Sequence, residues 1–347
     1  MKKALLFGTT ALVAAGLVAT DASAKAFEVE VGGFMEQWVG VADNDIDSVQ
    51  TLNQWSDTEI HFTGETTLDN GVTVGINVQL EGNTSGDQID ESFAYIEGDF
   101  GRVNLGSENS APYLMQRIAP NYGMPINSGD VNKHLVGFGG GLTTRGATTI
   151  EVGGDNDGQK ITYFTPVLGP GFRLGVSVTP DIDTTGGDIN VARVTARPFD
   201  WGLSAGAEFV NSTDMFEYAL TGGIYYGDEA GASEDFLAYS AGVNLKFGGG
   251  FEVGGSVAWD DTDSNASGTE GVGYDLGIGY MSGPWGLSLT YFGSDMEAAD
   301  MDQTVIQGSV MYQLGTGVSL AGSIGYGDDE LVDNDGYYGT GGLILNF

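Results

Sequence analysis

Between Gly71 and Gly82 the chain alternates strictly. Val72, Val74, Ile76, Val78 and Leu80 hold one set of positions, and Thr73, Gly75, Asn77, Gln79 and Glu81 hold the other. From Phe172 the pattern returns, with Leu174, Val176 and Val178 set against Arg173, Gly175 and Ser177. A helix repeats its apolar positions every three or four residues, whereas a period of two predicts a strand with two unlike faces. Beyond the N-terminal segment no long helical pattern competes. The alternation predicts strands at 27–41, 55–68, 71–83, 87–99, 101–108, 158–167, 171–180, 188–198, 202–227, 236–247, 250–260, 271–282, 285–293, 302–313, 317–327 and 336–347. The stretch 202–227 exceeds the roughly 9–11 residues of a membrane-crossing strand, so it holds a bulge near "NSTDM" or a hairpin.

Short glycine-bearing turns punctuate the strands at 68–71, 98–101, 168–171, 199–202, 247–250, 282–286 and 314–317. Longer acidic segments separate them, among them "DNDID" from Asp43 and "DDTDSNASGTE" from Asp260. Turns and loops that alternate in this way belong at opposite rims of an up-and-down barrel. The fold class read from the pattern is therefore all-β, an antiparallel barrel of about sixteen strands.

The faces decide the medium. A barrel folded in water needs large apolar residues inside, but here the second face carries Thr, Asn, Gln, Glu and Arg on strand after strand. Such a face cannot line a dry core, so the apolar face is the outer one and meets lipid, and the polar face lines a wet lumen. Trp38, Trp55, Trp201, Trp259, Tyr280, Trp285, Tyr291, Tyr337 and Phe347 fall near strand ends, where interfacial aromatic girdles are expected. The final strand fits the same scheme: Phe347, Leu345 and Leu343 share one face, and this strand is expected to close the barrel against the first.

The N-terminus has its own logic. Lys2 and Lys3 precede an apolar run from Ala4 to Ala19, and Ala22-Ser23-Ala24 supplies small residues for cleavage. This reads as an export signal at 1–24, which leaves a barrel domain at 25–347. The chain contains no cysteine, so disulfides do not stabilise it. Glycine, at 58 of 347 residues, stands at about twice its usual ~7% share.

Charge refines the lumen. The formal net charge is −36, which excludes nucleic acid as a partner. Yet of the 12 Lys and Arg residues, eight fall between Arg102 and Arg197. By strand parity Arg102, Lys160, Arg173, Arg193 and Arg197 sit opposite the apolar stripes and face the lumen. One segment interrupts the rhythm: residues 109–156 show little strand pattern but contain Leu, Met, Ile, Tyr and Phe. A long loop with apolar groups is functional more often than disordered, and this one can fold inward and narrow the lumen.

The export signal, the sixteen predicted strands, "FAYIEGDFGRVNLG" leading into a long third loop and the terminal Phe347 together resemble the general diffusion porins of Gram-negative bacteria, closest to the alphaproteobacterial type. The resemblance covers the whole chain after the signal and rests on the order of short motifs. It implies an outer-membrane homotrimer whose third loop constricts a water-filled channel for small hydrophilic solutes and ions. It also implies lipid and lipopolysaccharide as neighbours, and recognition of Phe347 by the barrel-assembly machinery. In that family basic wall residues face acidic groups across an eyelet. The acidic candidates here are Glu108, Asp130 and Glu65, against Arg102, Lys160, Arg173, Arg193 and Arg197. The acidic loops add an expected preference for cations.

Other chemistries are weaker. Asp43, Asp45 and Asp47, and Asp155 and Asp157, have spacing that hints at Ca²⁺, but the twelve-residue calcium loop fails at its sixth and twelfth positions, Ser48 and Gln54. No cofactor is expected beyond such loop-bound Ca²⁺. Of the two histidines, His61 points inward by parity and His134 lies in the long loop. No nucleophile elbow, P-loop or Cys/His cluster is present, so no enzymatic activity is expected. The competing readings are a substrate-specific channel, which would need an aromatic track along the lumen, and a secreted acidic β-rich adhesive or Ca²⁺-binding protein.

Overall fold

A computed structural model describes residues 27–46, 51–83, 88–126, 133–135, 158–180, 201–228, 235–260, 270–296, 302–330 and 332–347. Sixteen antiparallel strands form a closed ring. They are β1 (Glu28–Asn44), β2 (Leu52–Thr67), β3 (Thr73–Glu81), β4 (Ile89–Gly98), β5 (Gly101–Ser107), β6 (Gln159–Phe164), β7 (Phe172–Thr179), β8 (Trp201–Ser212), β9 (Phe216–Asp228), β10 (Phe236–Phe247), β11 (Phe251–Asp260), β12 (Gly271–Ser282), β13 (Trp285–Met296), β14 (Gln303–Gly315), β15 (Val318–Asp329) and β16 (Asn334–Asn346). Each strand pairs with its neighbours in sequence, and β16 returns to β1 from Phe34↔Asn346 to Asn44↔Gly336. Beyond that register Gly33 and Phe347 exchange both backbone hydrogen bonds, at 3.0 and 3.1 Å. The ring leaves no unpaired edge.

The alternation holds in three dimensions. On β7 Phe172, Leu174, Val176 and Val178 are exposed outward while Gly175 and Ser177 are buried inward. On β12 Tyr274, Leu276 and Ile278 lie outside, and Gly273, Asp275 and Gly277 inside. Leaving this much apolar surface in water would forgo roughly 25 cal/mol per Å², so the outer belt is built for lipid.

Outward aromatic pairs border the belt at both rims. At the loop rim Trp201 packs on Tyr226, Tyr239 on Trp259, Tyr274 on Tyr291 and Tyr326 on Tyr337. At the turn rim Phe216 packs on Phe247, Phe251 on Tyr280 and Trp285 on Tyr312. Two of the tryptophans assigned to the girdles depart from this. Trp38 is fully buried inside the barrel, stacked on Trp55 with centroids 5.7 Å apart. Parity explains it: Val39 and Val41 on the same strand face outward, so Trp38 cannot.

The strand count agrees with the sequence reading, but one boundary does not. The stretch 202–227 is a hairpin, β8 and β9, joined at 213–215. The seventh short turn therefore lies there, and Trp201 and Gly202, expected in a turn, open strand β8. Thr213 makes this turn without glycine: its Oγ1 accepts from the N–H groups of Met215 and Phe216, both at 3.2 Å. β7 pairs directly with β8. The strand expected at 188–198 and the signal at 1–24 lie outside the described residues.

Candidate functional site

The long segment between β5 and β6 lies against the inner wall in every part that is described. Its root is fastened by Lys160, which projects inward from β6 and is buried. The ammonium donates to the carbonyls of Glu108 and, at 2.9 Å, Gly158, one on each side of the segment. Glu108 is buried at the same root, beside Asn109, whose Nδ2 donates to Glu91 at 2.6 Å.

A five-residue helix follows, α1 (Ala111–Met115). Helix ends leave N–H groups without partners, and Ser110 provides no side-chain cap. The wall supplies one instead, since Ala111 N–H donates to Ser177 Oγ of β7 at 2.9 Å. From there the loop follows the inner wall around the barrel. Arg117 N–H donates to Thr221 of β9, Ala119 N–H to both oxygens of Asp275 of β12, Tyr122 N–H to Ser288 of β13 and Met124 N–H to Ser323 of β15. In the other direction Asn244, Thr290 and Gln307 donate to the carbonyls of Ile118, Pro120 and Met124. These polar wall residues are therefore not all wetted, as the sequence had implied. Ser177, Thr290, Gln307 and Ser323 are buried beneath the loop and satisfied by its backbone.

The loop also brings an apolar cluster into the lumen. Met124, Ile126 and Leu135 pack with Trp38, Phe292, Val305 and Tyr338. His134 stacks on Tyr338 with planes 8° apart, and its Nε2 accepts from Trp55 Nε1 at 3.4 Å. Burial lowers the pKa of His134 below the ordinary 6.5, so it is neutral near pH 7. Burial, reinforced by the Glu252 carboxylate, pushes the loop residue Tyr122 up to about 12.

Part of the inner face of β2 to β5 stays accessible, with Thr63, Glu65 and Glu97 exposed, while His61, Glu91, Phe93 and Asn104 are buried. Here Arg102 lies 3.8 Å over the Tyr95 ring and 3.6 Å from Glu97, and Tyr95 donates to Glu65 at 2.7 Å. Arg102 and Glu65, assigned to opposite sides from sequence, thus share one wall and one cluster. Arg173 on β7 and Arg117 on the loop both reach Glu208 of β8, at 3.6 and 2.5 Å. So this charge pair is reversed from expectation, with a base on the loop and an acid on the wall. Lys160 and Glu108 face inward but belong to the loop root. Further along, Asp57, Glu59 and Glu81 of β2 and β3 bring their oxygens within 4.8 Å of one another, and His61 points inward to Glu59 at 2.7 Å.

Sequence reasoning missed Arg117, Glu208, Glu97 and Tyr95. Parity would have found Glu208 once β8 was bounded correctly, whereas no periodicity marks Arg117. Of the Ca²⁺ candidates, Asp43 is the penultimate residue of β1 and Asp45 N–H donates to Asn334 Oδ1 at 3.1 Å. Asp47, Asp155 and Asp157, like Arg193, Arg197 and Asp130, lie outside the described residues.

A family model described as Gram-negative porin matches residues 8–331. No curated protein sequence matches the chain. Among solved structures, a porin is similar with a TM-score of 0.62 at 16% identity, covering 92% of this chain and 100% of its own. An anion-selective porin from Comamonas acidovorans gives 0.63 at 15%, with the same coverage. A triple mutant of the porin of Rhodopseudomonas blastica gives 0.58 at 18%, again with 92% and 100% covered.

Proposed function

The chain belongs to the Gram-negative porin family, and from that premise we propose that it passes small hydrophilic solutes and ions by diffusion along the inner face of β2 to β5, with the segment 109–156 as the constriction. The carrying observation is the asymmetry of the lumen. The described loop lies on the inner face from β7 to β15 and touches β1 and the start of β2 through Lys133 and His134, while Thr63, Glu65, Glu97 and Arg102 further along the facing wall stay accessible. Fixed charges of both signs next to this path orient dipolar solutes and disfavour apolar ones.

Cations are the preferred ions in this reading. Arg102 is paired with Glu97, Arg117 and Arg173 share Glu208, and the carboxylates Asp57, Glu59 and Glu81 stand together on β2 and β3. The relative from Comamonas acidovorans is named for the opposite preference, so the sign must be measured. The assembly is a homotrimer joined through β1 to β5. The outward aromatic pairs run from β8 to β16, and the outer faces of β1 to β5 carry none among the described residues. Val29, Val31, Val39, Val41 and Leu105 there offer aliphatic surface fitted to a protein wall. Export by the segment 1–24 delivers the chain to the outer membrane, beside lipopolysaccharide and by way of the assembly machinery that reads Phe347.

Single-channel recording in a planar bilayer under a salt gradient tests the whole reading. Conductance in groups of three steps with a cation-signed reversal potential is expected. A folded, detergent-soluble preparation with no conductance would refute the channel.

A further inference from the structure

The wall that carries the loop is notched where the loop crosses it. A methyl group at Gly242 of β10 would stand 2.1 Å from the Arg117 carbonyl oxygen, and one at Gly223 of β9 would stand 2.5 Å from Pro112 Cβ. At Gly206 of β8 it would meet Pro112 Cα and Met115 Sδ at 3.0 Å, and at Gly277 of β12 it would meet Ala119 Cβ at 3.1 Å. All four glycines face inward. The outward Gly222 has only a carbonyl oxygen at 3.8 Å, and Gly308 has nothing within 4 Å.

The notches come with hooks. Gly223 and Thr221 on β9, Gly277 and Asp275 on β12, and Gly286 and Ser288 on β13 are pairs of inward residues two positions apart. In each pair the glycine makes room for the loop and the polar partner accepts one of its backbone N–H groups. These hooks are short side chains. They reach the loop only because the missing Cβ atoms let it lie directly on the wall.

We propose that these inward glycines set the size limit of the channel by fixing how far the loop projects into the lumen. This rests on the channel reading and adds the residues that determine its bore. The free cross-section is the barrel interior less the thickness of the seated loop. Interior contacts are close-packed, so a methyl group at Gly242 must move the Arg117 carbonyl from 2.1 Å to the ordinary 3.4 Å. The required shift is about 1.3 Å, directed into the open lumen because the wall is continuous behind it. Gly277, whose neighbour would be at 3.1 Å, asks for only a few tenths of an ångström.

The test compares Gly242→Ala, Gly277→Ala and the outward Gly222→Ala with the parent barrel, each confirmed as folded by heat-modifiable migration. The measurements are unitary conductance in planar bilayers and swelling of liposomes in saccharides of increasing size. The expected result is graded: Gly242→Ala loses conductance and excludes the largest saccharide the parent admits, Gly277→Ala shows a smaller loss, and Gly222→Ala matches the parent. Unchanged conductance and an unchanged saccharide limit in folded Gly242→Ala would overturn the proposal. Should that variant fail to fold, an unchanged limit in Gly277→Ala does so instead. A folded parent without conductance is a different failure, which removes the channel reading and this proposal together.

Discussion

Replacing Glu208 by glutamine isolates one fixed charge. The carboxylate is 6% exposed, lies 2.5 Å from Arg117 and 3.6 Å from Arg173, and is the anion that the two guanidinium groups share. Glutamine keeps the shape and one acceptor oxygen, so the loop stays attached while the local charge rises by one. At about 5 Å in water a unit charge acts on a passing ion with about 0.8 kcal/mol. Screening at 0.1 M salt, where the Debye length is about 10 Å, leaves about 0.5 kcal/mol. That is a little over twofold against cations and the same factor in favour of anions. At 1 M the Debye length is about 3 Å and most of the effect disappears. Reversal potentials under equal concentration ratios at low and high salt measure this directly. The low-salt value should move toward anions, and the high-salt value should stay near that of the parent. An unmoved low-salt potential, in a variant with normal conductance, would show that ions do not pass near Glu208 and would remove the Arg117–Arg173–Glu208 cluster from the filter.

Three further outcomes follow from other parts of the molecule. Trp38→Ala removes a fully buried ring from the lumenal cluster and should cost about 3–5 kcal/mol, read as a lower denaturant midpoint of the detergent-folded barrel. Ile324→Arg, at an outward position 73% exposed, should destabilise folding into liposomes by about 2–4 kcal/mol if the position lies near the bilayer midplane; a barrel built for water would not register the change. His134 is neutral when seated, with its buried Nδ1 unpartnered and Lys133 beside it. Because its folded pKa lies below the ordinary 6.5, the unfolded or released form binds more protons as the pH falls below that value. The loop attachment should therefore weaken below about pH 6.5, seen as flickering single-channel current that His134→Asn removes.

The sequence disclosed most of the fold because a strand between lipid and lumen must alternate, and alternation is visible without coordinates. It misled where composition stood in for geometry. "FDWG" has the composition of a turn, yet its Trp201 and Gly202 belong to strand β8, whereas the glycine-free turn at Thr213 is closed by a hydroxyl that no periodicity records. Trp38 was placed in a girdle by its type, although its parity with Val39 and Val41 already pointed inward. The site was less legible for a definite reason: parity says that Arg102, Lys160 and Arg173 face the lumen, but not at what depth or beside what. Lys160 proved to be spent on two carbonyls at the loop root. Arg117 and Glu208 meet across 91 residues, a contact created by the path of the loop.

That path has an evolutionary consequence. Beside the Arg117–Glu208 pair and the apolar cluster, the wall grips the loop through its amide and carbonyl groups, which every amino acid except proline provides in full. Ser177, Asp275, Ser288, Thr290 and Ser323 bond the loop through its backbone groups, which do not depend on the side chains it carries. Substitutions at loop positions held only by their backbone can therefore accumulate without loosening it. Holding and choosing are written in different alphabets, one in the backbone and one in the side chains. A lineage facing a new mixture of solutes can revise the second while the first stays as it is.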